Sequence, residues 1–132
     1  MAPTLDRRLA SHRDRSLARL SRAPRRGDVF WVALDPTLGT EIKKTRPAVV
    51  VSNDSCNRYG SRVVVLPVTS HVDSLYPGEA LVRVKGRPAR ALGDQIRSLD
   101  KTRLRSRIGT LSAEDLAAVE EALLITLGIG RT

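Results

Sequence analysis

Apolar, β-branched runs separated by short charged loops constrain this chain more than any other feature. Val29 to Leu34, Pro47 to Ser52 (with Val49-Val50-Val51 inside it) and Arg62 to Val68 each read as a strand. These runs are apolar at successive positions, not alternate ones. That predicts strands buried on both faces, or a sheet covered when two copies associate. Asp35-Pro36-Thr37-Leu38-Gly39 is turn chemistry between the first two runs. Asn53 to Gly60 is polar and reads as a turn with a short helical stretch. Ser70 to Gly78 is a loop, and Ala80 to Val84 alternates as a strand. Ala89 to Gln95 and Ser106 to Leu111 are shorter strands, with one helical turn over Leu99 to Leu104 between them.

The C-terminus reads as the one clear helix. Ser112 is a good N-cap, and Asp115 three residues on completes a capping-box pattern. Glu114 and Asp115 complement the positive end of the helix dipole. Leu116, Val119, Leu123 and Leu127 fall on one helical stripe, and Gly128 is a natural stop. Several short strands followed by one helix predict a mainly β (α+β) fold, a small β-barrel with a C-terminal covering helix.

A length of 132 residues suits one domain, and 41% apolar content is enough for one core. No apolar run approaches the roughly 20 residues of a membrane span. Arginines stand near the N-terminus in place of the apolar core of a secretory signal. Cys56 is the only cysteine, so no internal disulfide forms. A cytoplasmic protein with no membrane association is expected. His12 and His71 lie far apart and there is one cysteine, so neither a zinc-like ligand set nor a histidine acid–base pair is expected. Neither a metal nor a cofactor is anticipated, and the chemistry falls to Arg, Lys, Glu, Asp, Ser and Thr.

A net charge of +9 points to an anionic partner. Its distribution is uneven. Residues 1–26 carry eight arginines against two aspartates, and the rest of the chain contributes only +3. Residues 1–24 read as a basic, flexible N-terminal segment: a solvated tail, residues upstream of the true start, or an accessory arm on RNA. Residues 25–132 read as the single folded domain.

Three blocks taken in order carry a resemblance. The first runs from Gly27-Asp28 to Asn53-Asp54 and includes Gly39-Thr40-Glu41 and Arg46-Pro47. The second is Pro67-Val68-Thr69-Ser70. The third is Asp94-Gln95-Ile96-Arg97-Ser98-Leu99-Asp100-Lys101, followed by Arg107-Ile108-Gly109-Thr110-Leu111. Together they resemble the MazF/PemK family of toxin endoribonucleases over residues 26–130. The resemblance implies a small SH3-like barrel of the MazF/PemK/CcdB type and a homodimer. It implies a type II toxin that cleaves single-stranded RNA at short motifs without a metal. It also implies a cognate MazE-like antitoxin whose C-terminal peptide occupies the RNA groove. Thr40 stands where Ser is common and Gly93 where Cys is frequent, and the long basic N-terminal segment departs from the family pattern.

Carried onto this sequence, the resemblance assigns catalysis to Arg46 and Thr69, with Glu41 as the acidic residue of the loop motif. A guanidinium fork holds two phosphoryl oxygens at once, which suits Arg46 to neutralising charge and not to accepting a proton. The Thr69 hydroxyl can donate to a phosphoryl oxygen, and Ser70 can assist at the same edge. Glu41 can accept the 2′ proton or orient Arg46; it can equally be a loop charge paired with Lys43 or Lys44. Lys43 and Lys44 attract the RNA backbone without reading sequence. Asn53, Asp54, Asn57 and Gln95 are candidate base readers, although turn formation explains Asn53 and Asp54 equally well. Aromatic platforms are scarce: Tyr59 and Tyr76 can stack on a base, while Phe30 and Trp31 suit the core or a dimer interface. A gyrase-binding toxin of the same fold and a non-catalytic RNA-binding module are the alternatives. Arg46 and Thr69 together favour the nuclease over the first. Deleting the N-terminal segment separates it from the second.

Overall fold

The computed structural model describes residues 22–34 and 45–130. Its strands are β1 (Asp28–Val32), β2 (Arg46–Val50), β3 (Arg62–Thr69), β4 (Glu79–Val84), β5 (Arg87–Leu92), β6 (Arg97–Asp100) and β7 (Leu104–Thr110). Its helices are α1 (Asp54–Tyr59) and α2 (Ala113–Leu127), with 3-10 turns at Gly93–Gln95 and Lys101–Arg103. All pairings are antiparallel, in the order β4-β5-β3-β2-β1-β7, with β6 also on β3. The result is a bent half-barrel with α2 packed across β4 and the Gly93–Gln95 turn. The sequence predicts this fold class. It reads Leu99 to Leu104 as one helical turn; the chain there ends β6 with Leu99 and Asp100 and then makes a shorter 3-10 turn over Lys101–Arg103, capped by Asp100, whose carboxylate accepts from the Thr102 N–H at 2.8 Å.

The successive valines find two cores. In a strand, neighbouring side chains point to opposite faces. Val29, Val49, Leu66 and Val68 join Val82, Ala91, Leu111, Val119 and Ala122 beneath α2. Phe30, Val32, Ala48, Val50, Val63 and Val65 join Leu34, Leu99 and Leu104 on the other side. One chain therefore buries both faces of its central strands. Each fully buried valine or leucine contributes about 1.5–3 kcal/mol of transfer free energy.

Helix α2 begins and ends as its sequence predicts. Ser112 Oγ accepts from the Asp115 N–H at 3.1 Å, and Gly128 closes the helix in the left-handed region with φ 68°. The buried stripe differs from the expected one. Asp115 accepts from the Arg83 N–H at 2.8 Å, and Thr126 donates to the Gly78 carbonyl at 3.3 Å. These two contacts turn the Asp115/Val119/Ala122/Thr126 line toward the sheet and leave Leu127 52% exposed. The same Gly78 carbonyl accepts from the Gly93 N–H at 3.0 Å. A Cβ on Gly93 would stand 2.2 Å from that oxygen, so the 3-10 turn can approach β4 this closely only as glycine.

A buried carboxylate fastens the start of the domain. Asp28 is 1% exposed. It accepts from the Arg25 N–H and from Thr110 Oγ1, both at 2.9 Å. Arg107 Nε lies 3.3 Å away and Arg22 Nη1 3.6 Å away. Arg107 also stands over the Phe30 ring, 5.3 Å from its centroid. Arg26 reaches the opposite side, pairing with Glu120 of α2 and donating to the Val51 carbonyl. Removing one partner of a desolvated charge cluster costs far more than the cluster's net worth. Asp28→Ala is therefore expected to lower unfolding free energy by about 3 kcal/mol, read as a lower urea midpoint at unchanged slope.

Candidate functional site

Strand β3 changes neighbours along its length, and a cleft opens where it does. On one edge it pairs with β2, from Ala48↔Pro67 to Val50↔Val65. On the other edge Arg62 to Val65 pair with β6, whereas Val68 and Thr69 pair with β5. Between those stretches β5 and β6 part, and the Gly93–Gln95 turn bridges them. The cleft at this fork has a volume of about 430 Å³. Leu34 and Leu92 are apolar walls; Arg46, Thr69, Arg90, Gln95 and Arg97 are its polar lining. Extending the β2–β3 register by two places sets Thr69 opposite Arg46, which explains why residues 23 apart in sequence meet.

The electrostatics are one-sided. Three arginines line the cleft, and no described lining residue is acidic. Arg90 is anchored: its Nε lies 3.4 Å from Glu79 Oε1 and its Nη1 donates to the Ser74 carbonyl at 2.6 Å. Among the described residues, Arg46 and Arg97 make no ion pair. Like charges held this close favour any anion that enters between them. The Thr69 hydroxyl oxygen accepts from the His71 N–H at 3.2 Å, which leaves its own proton to donate. The cleft can thus bind a phosphoryl group by two planar guanidinium forks and one hydroxyl.

Arg46, Thr69 and Gln95 are sequence candidates, and the structure brings them together. Ser70 lies just beyond, beside an adjoining depression. Glu41, Lys43 and Lys44 lie outside the described residues; Leu34, which precedes that segment, and Arg46, the first residue of β2, both line the cleft. Asn53, Asp54 and Asn57 are elsewhere, past the far end of β2 from Arg46. Asn53 caps α1 by accepting from the Cys56 N–H at 2.8 Å, and Asp54 accepts from the Arg26 N–H at 2.8 Å. Asn57 is 0% exposed; its amide donates to the Ser52 carbonyl at 2.8 Å and accepts from Ser52 Oγ. A side chain so buried and so fully bonded has nothing left to offer a base. Tyr59 and Tyr76 are exposed but do not line the cleft, Phe30 is core, and Trp31 is partly exposed. Arg90 and Arg97 are the site residues that the sequence reading missed. Their only signal is register: Arg90 pairs opposite Thr69, and Arg97 opposite Val65.

Comparison with known proteins places the chain in a family. The model of the PemK-like, MazF-like toxins of type II toxin–antitoxin systems matches residues 25–127. The chain belongs to that family. It is 40% identical over 114 residues to endoribonuclease MazF9 of Mycobacterium tuberculosis, covering 80% of this chain and 97% of that protein. It superposes on MazF in a MazE–MazF crystal structure from Deinococcus radiodurans with TM-score 0.70 and 31% identity, covering 82% of this chain and 98% of that one. A mycobacterial endoribonuclease solved with its cognate antitoxin has the same fold, with TM-score 0.70 at 23% identity over 83% of this chain and 100% of the other. No helix among the described residues is long and apolar enough to cross a membrane.

The placement of Asn57 generates a test. Asn57→Ala is expected to lower stability by about 2 kcal/mol, because it strands two polar partners in Ser52. It should leave any nucleotide preference of the protein unchanged. A denaturant titration and an RNA-end profile of the same variant read the two effects separately.

Proposed function

We propose that this protein is the toxin of a type II toxin–antitoxin pair and a sequence-specific, metal-independent endoribonuclease acting on single-stranded RNA. One observation carries the reading: a single cleft gathers Arg46, Thr69 and Gln95 with two further arginines and no acidic described lining residue. The relative that is 40% identical, named endoribonuclease MazF9, supports it.

The chemistry follows from what the cleft offers. The 2′ oxygen of the substrate attacks the adjacent phosphorus, forming an O2′–P bond as the P–O5′ bond breaks. The 2′ hydroxyl loses its proton, and the departing 5′ oxygen gains one. The products are a 2′,3′-cyclic phosphate and a 5′ hydroxyl, with no water consumed. Arg46 and Arg97 flank the phosphoryl oxygens and take up the charge that develops on the phosphorane. Thr69 donates to one of those oxygens. Arg90, fixed by Glu79 and Ser74, supplies constant positive potential at no positional cost. Glu41 is the proposed acceptor of the 2′ proton, with Lys43 and Lys44 drawing in the RNA backbone. Gln95 presents an amide to the edge of an unstacked base.

The partners follow from the same cleft. An antitoxin peptide carrying carboxylates would compete with RNA for these arginines, as suits a MazE-like inhibitor bound in the RNA groove. Two copies are proposed to assemble into a homodimer.

The decisive experiment is 5′-end mapping of a long single-stranded RNA incubated with the protein in EDTA. Discrete cuts with 5′ hydroxyl ends are expected. Arg46→Ala should fold normally and lose about 100- to 1,000-fold in cleavage rate; wild-type cutting by that variant would sink the assignment. Arg97→Ala should weaken RNA binding and reduce the slope of log affinity against log salt by about 0.7, the loss of one phosphate contact on a single strand. An unchanged salt slope would remove Arg97 from the phosphate site.

A further inference from the structure

A second depression of about 130 Å³ adjoins the cleft and shares Val68 and Thr69 with it. Its remaining walls include Pro47 at the start of β2 and Val84, Arg87 and Pro88 from the β4–β5 hairpin. The lining is almost wholly apolar. The hairpin that forms it closes in two residues, Lys85 and Gly86, both with positive φ (52° and 76°), while Val84 and Arg87 pair directly. Such a turn matches the twist of its strands and holds the tip in one place.

We propose that this notch receives the nucleobase adjoining the phosphate held in the arginine cleft, an inference that rests on the ribonuclease reading above. Continuity is the first argument. Thr69 lines both depressions, so a phosphate within reach of its hydroxyl places a neighbouring nucleoside at the notch. Size is the second: the notch has room for one base and not for a stacked pair. Chemistry is the third. Two proline rings and a valine offer apolar surface to the flat face of a base. Arg87 is exposed and makes no ion pair among the described residues, so its planar guanidinium is available to stack on the same ring. No aromatic residue lines the notch, so shape complementarity and one cation replace the usual stacking platform. The cleft therefore fixes where the chain is cut, and the notch contributes to which nucleotide stands beside the cut.

The test uses an RNA oligonucleotide bearing the mapped cut sequence, intact or abasic at either nucleoside flanking the scissile phosphate. Wild-type kcat/KM is expected to fall about 10-fold or more at one of the two abasic positions. Val84→Phe fills the notch and should lose a similar factor on intact RNA, with little further loss on the abasic substrate. Arg87→Ala, on an exposed side chain whose removal does not threaten folding, should show the same non-additivity with a smaller loss. A wild-type that cuts intact and abasic substrates equally overturns the notch and leaves the nuclease standing. So do variants whose losses are equal on both RNAs, or a Val84→Phe protein that loses antitoxin-peptide binding while cutting RNA normally. A folded wild-type that cuts no RNA overturns the nuclease reading and the notch with it.

Discussion

Strand β3 hydrogen-bonds to three other strands, and that sharing determines what the cleft contains. Arg62 to Val65 pair with β6, Val65 to Pro67 with β2, and Val68 and Thr69 with β5. A flat sheet would place β6 and β5 on one continuous edge. The bend separates them instead, at Leu66 and Pro67. Proline has no N–H to give to a ladder, and it sits where the ladder on one edge is interrupted. Into the gap project the end of β3, the start of β2, Arg90 and Leu92 of β5, Arg97 of β6, and the turn that joins those two strands. Five polar side chains from five elements thus meet without any long loop holding them.

The charge arrangement is destabilising in itself. Arg46, Arg90 and Arg97 repel one another across a small volume, and among the described residues only Arg90 has a carboxylate at hand, Glu79. Away from the cleft, Asp28 meets Arg107 and Arg22, and Arg26 meets Glu120. Those networks fasten the N-terminal arm and the last strand to the barrel. The contrast separates two roles for arginine on one small domain. Arg22, Arg26 and Arg107 hold the fold by pairing, whereas Arg46 and Arg97, which have no ion pair among the described residues, are the ones proposed to meet an anion. A phosphoryl group bound between them, as proposed, would lower that repulsion. Lysines would serve less well, because a point charge lacks the second in-plane donor that fixes a phosphoryl group's orientation.

Much of this was legible in the sequence, and the limits have physical causes. Strand positions, the α2 caps and the mainly β class follow from local pattern, which is where propensity and turn chemistry are strongest. Arg46 and Thr69 are legible as motif residues beside Pro47 and Pro67. Arg90 and Arg97 are not, because their role depends on register between strands, and register is set by pairing partners distant in sequence. Asn57 shows the opposite failure. In sequence it is a polar residue in a polar turn; in the structure it is buried among Ser52's polar groups, which need partners. Leu127 follows the helical stripe but misses the core, because two polar contacts, at Asp115 and Thr126, set the rotation of α2.

These placements narrow how such a site can discriminate among bases. Of the amide and acidic candidates, Asn53, Asp54 and Asn57 are spent on α1 and on the N-terminal arm, which leaves Gln95 as the amide at the cleft. Stacking is equally limited, since no aromatic residue lines either depression. Phosphate contacts position a strand without reading it. On the proposed nuclease reading, selectivity comes from few points: one amide edge, one hydroxyl at Ser70, the fit of a base against the apolar notch, and residues of the 35–44 segment. A site with so few readers inspects a short stretch of RNA, and each reader carries a large share of the discrimination.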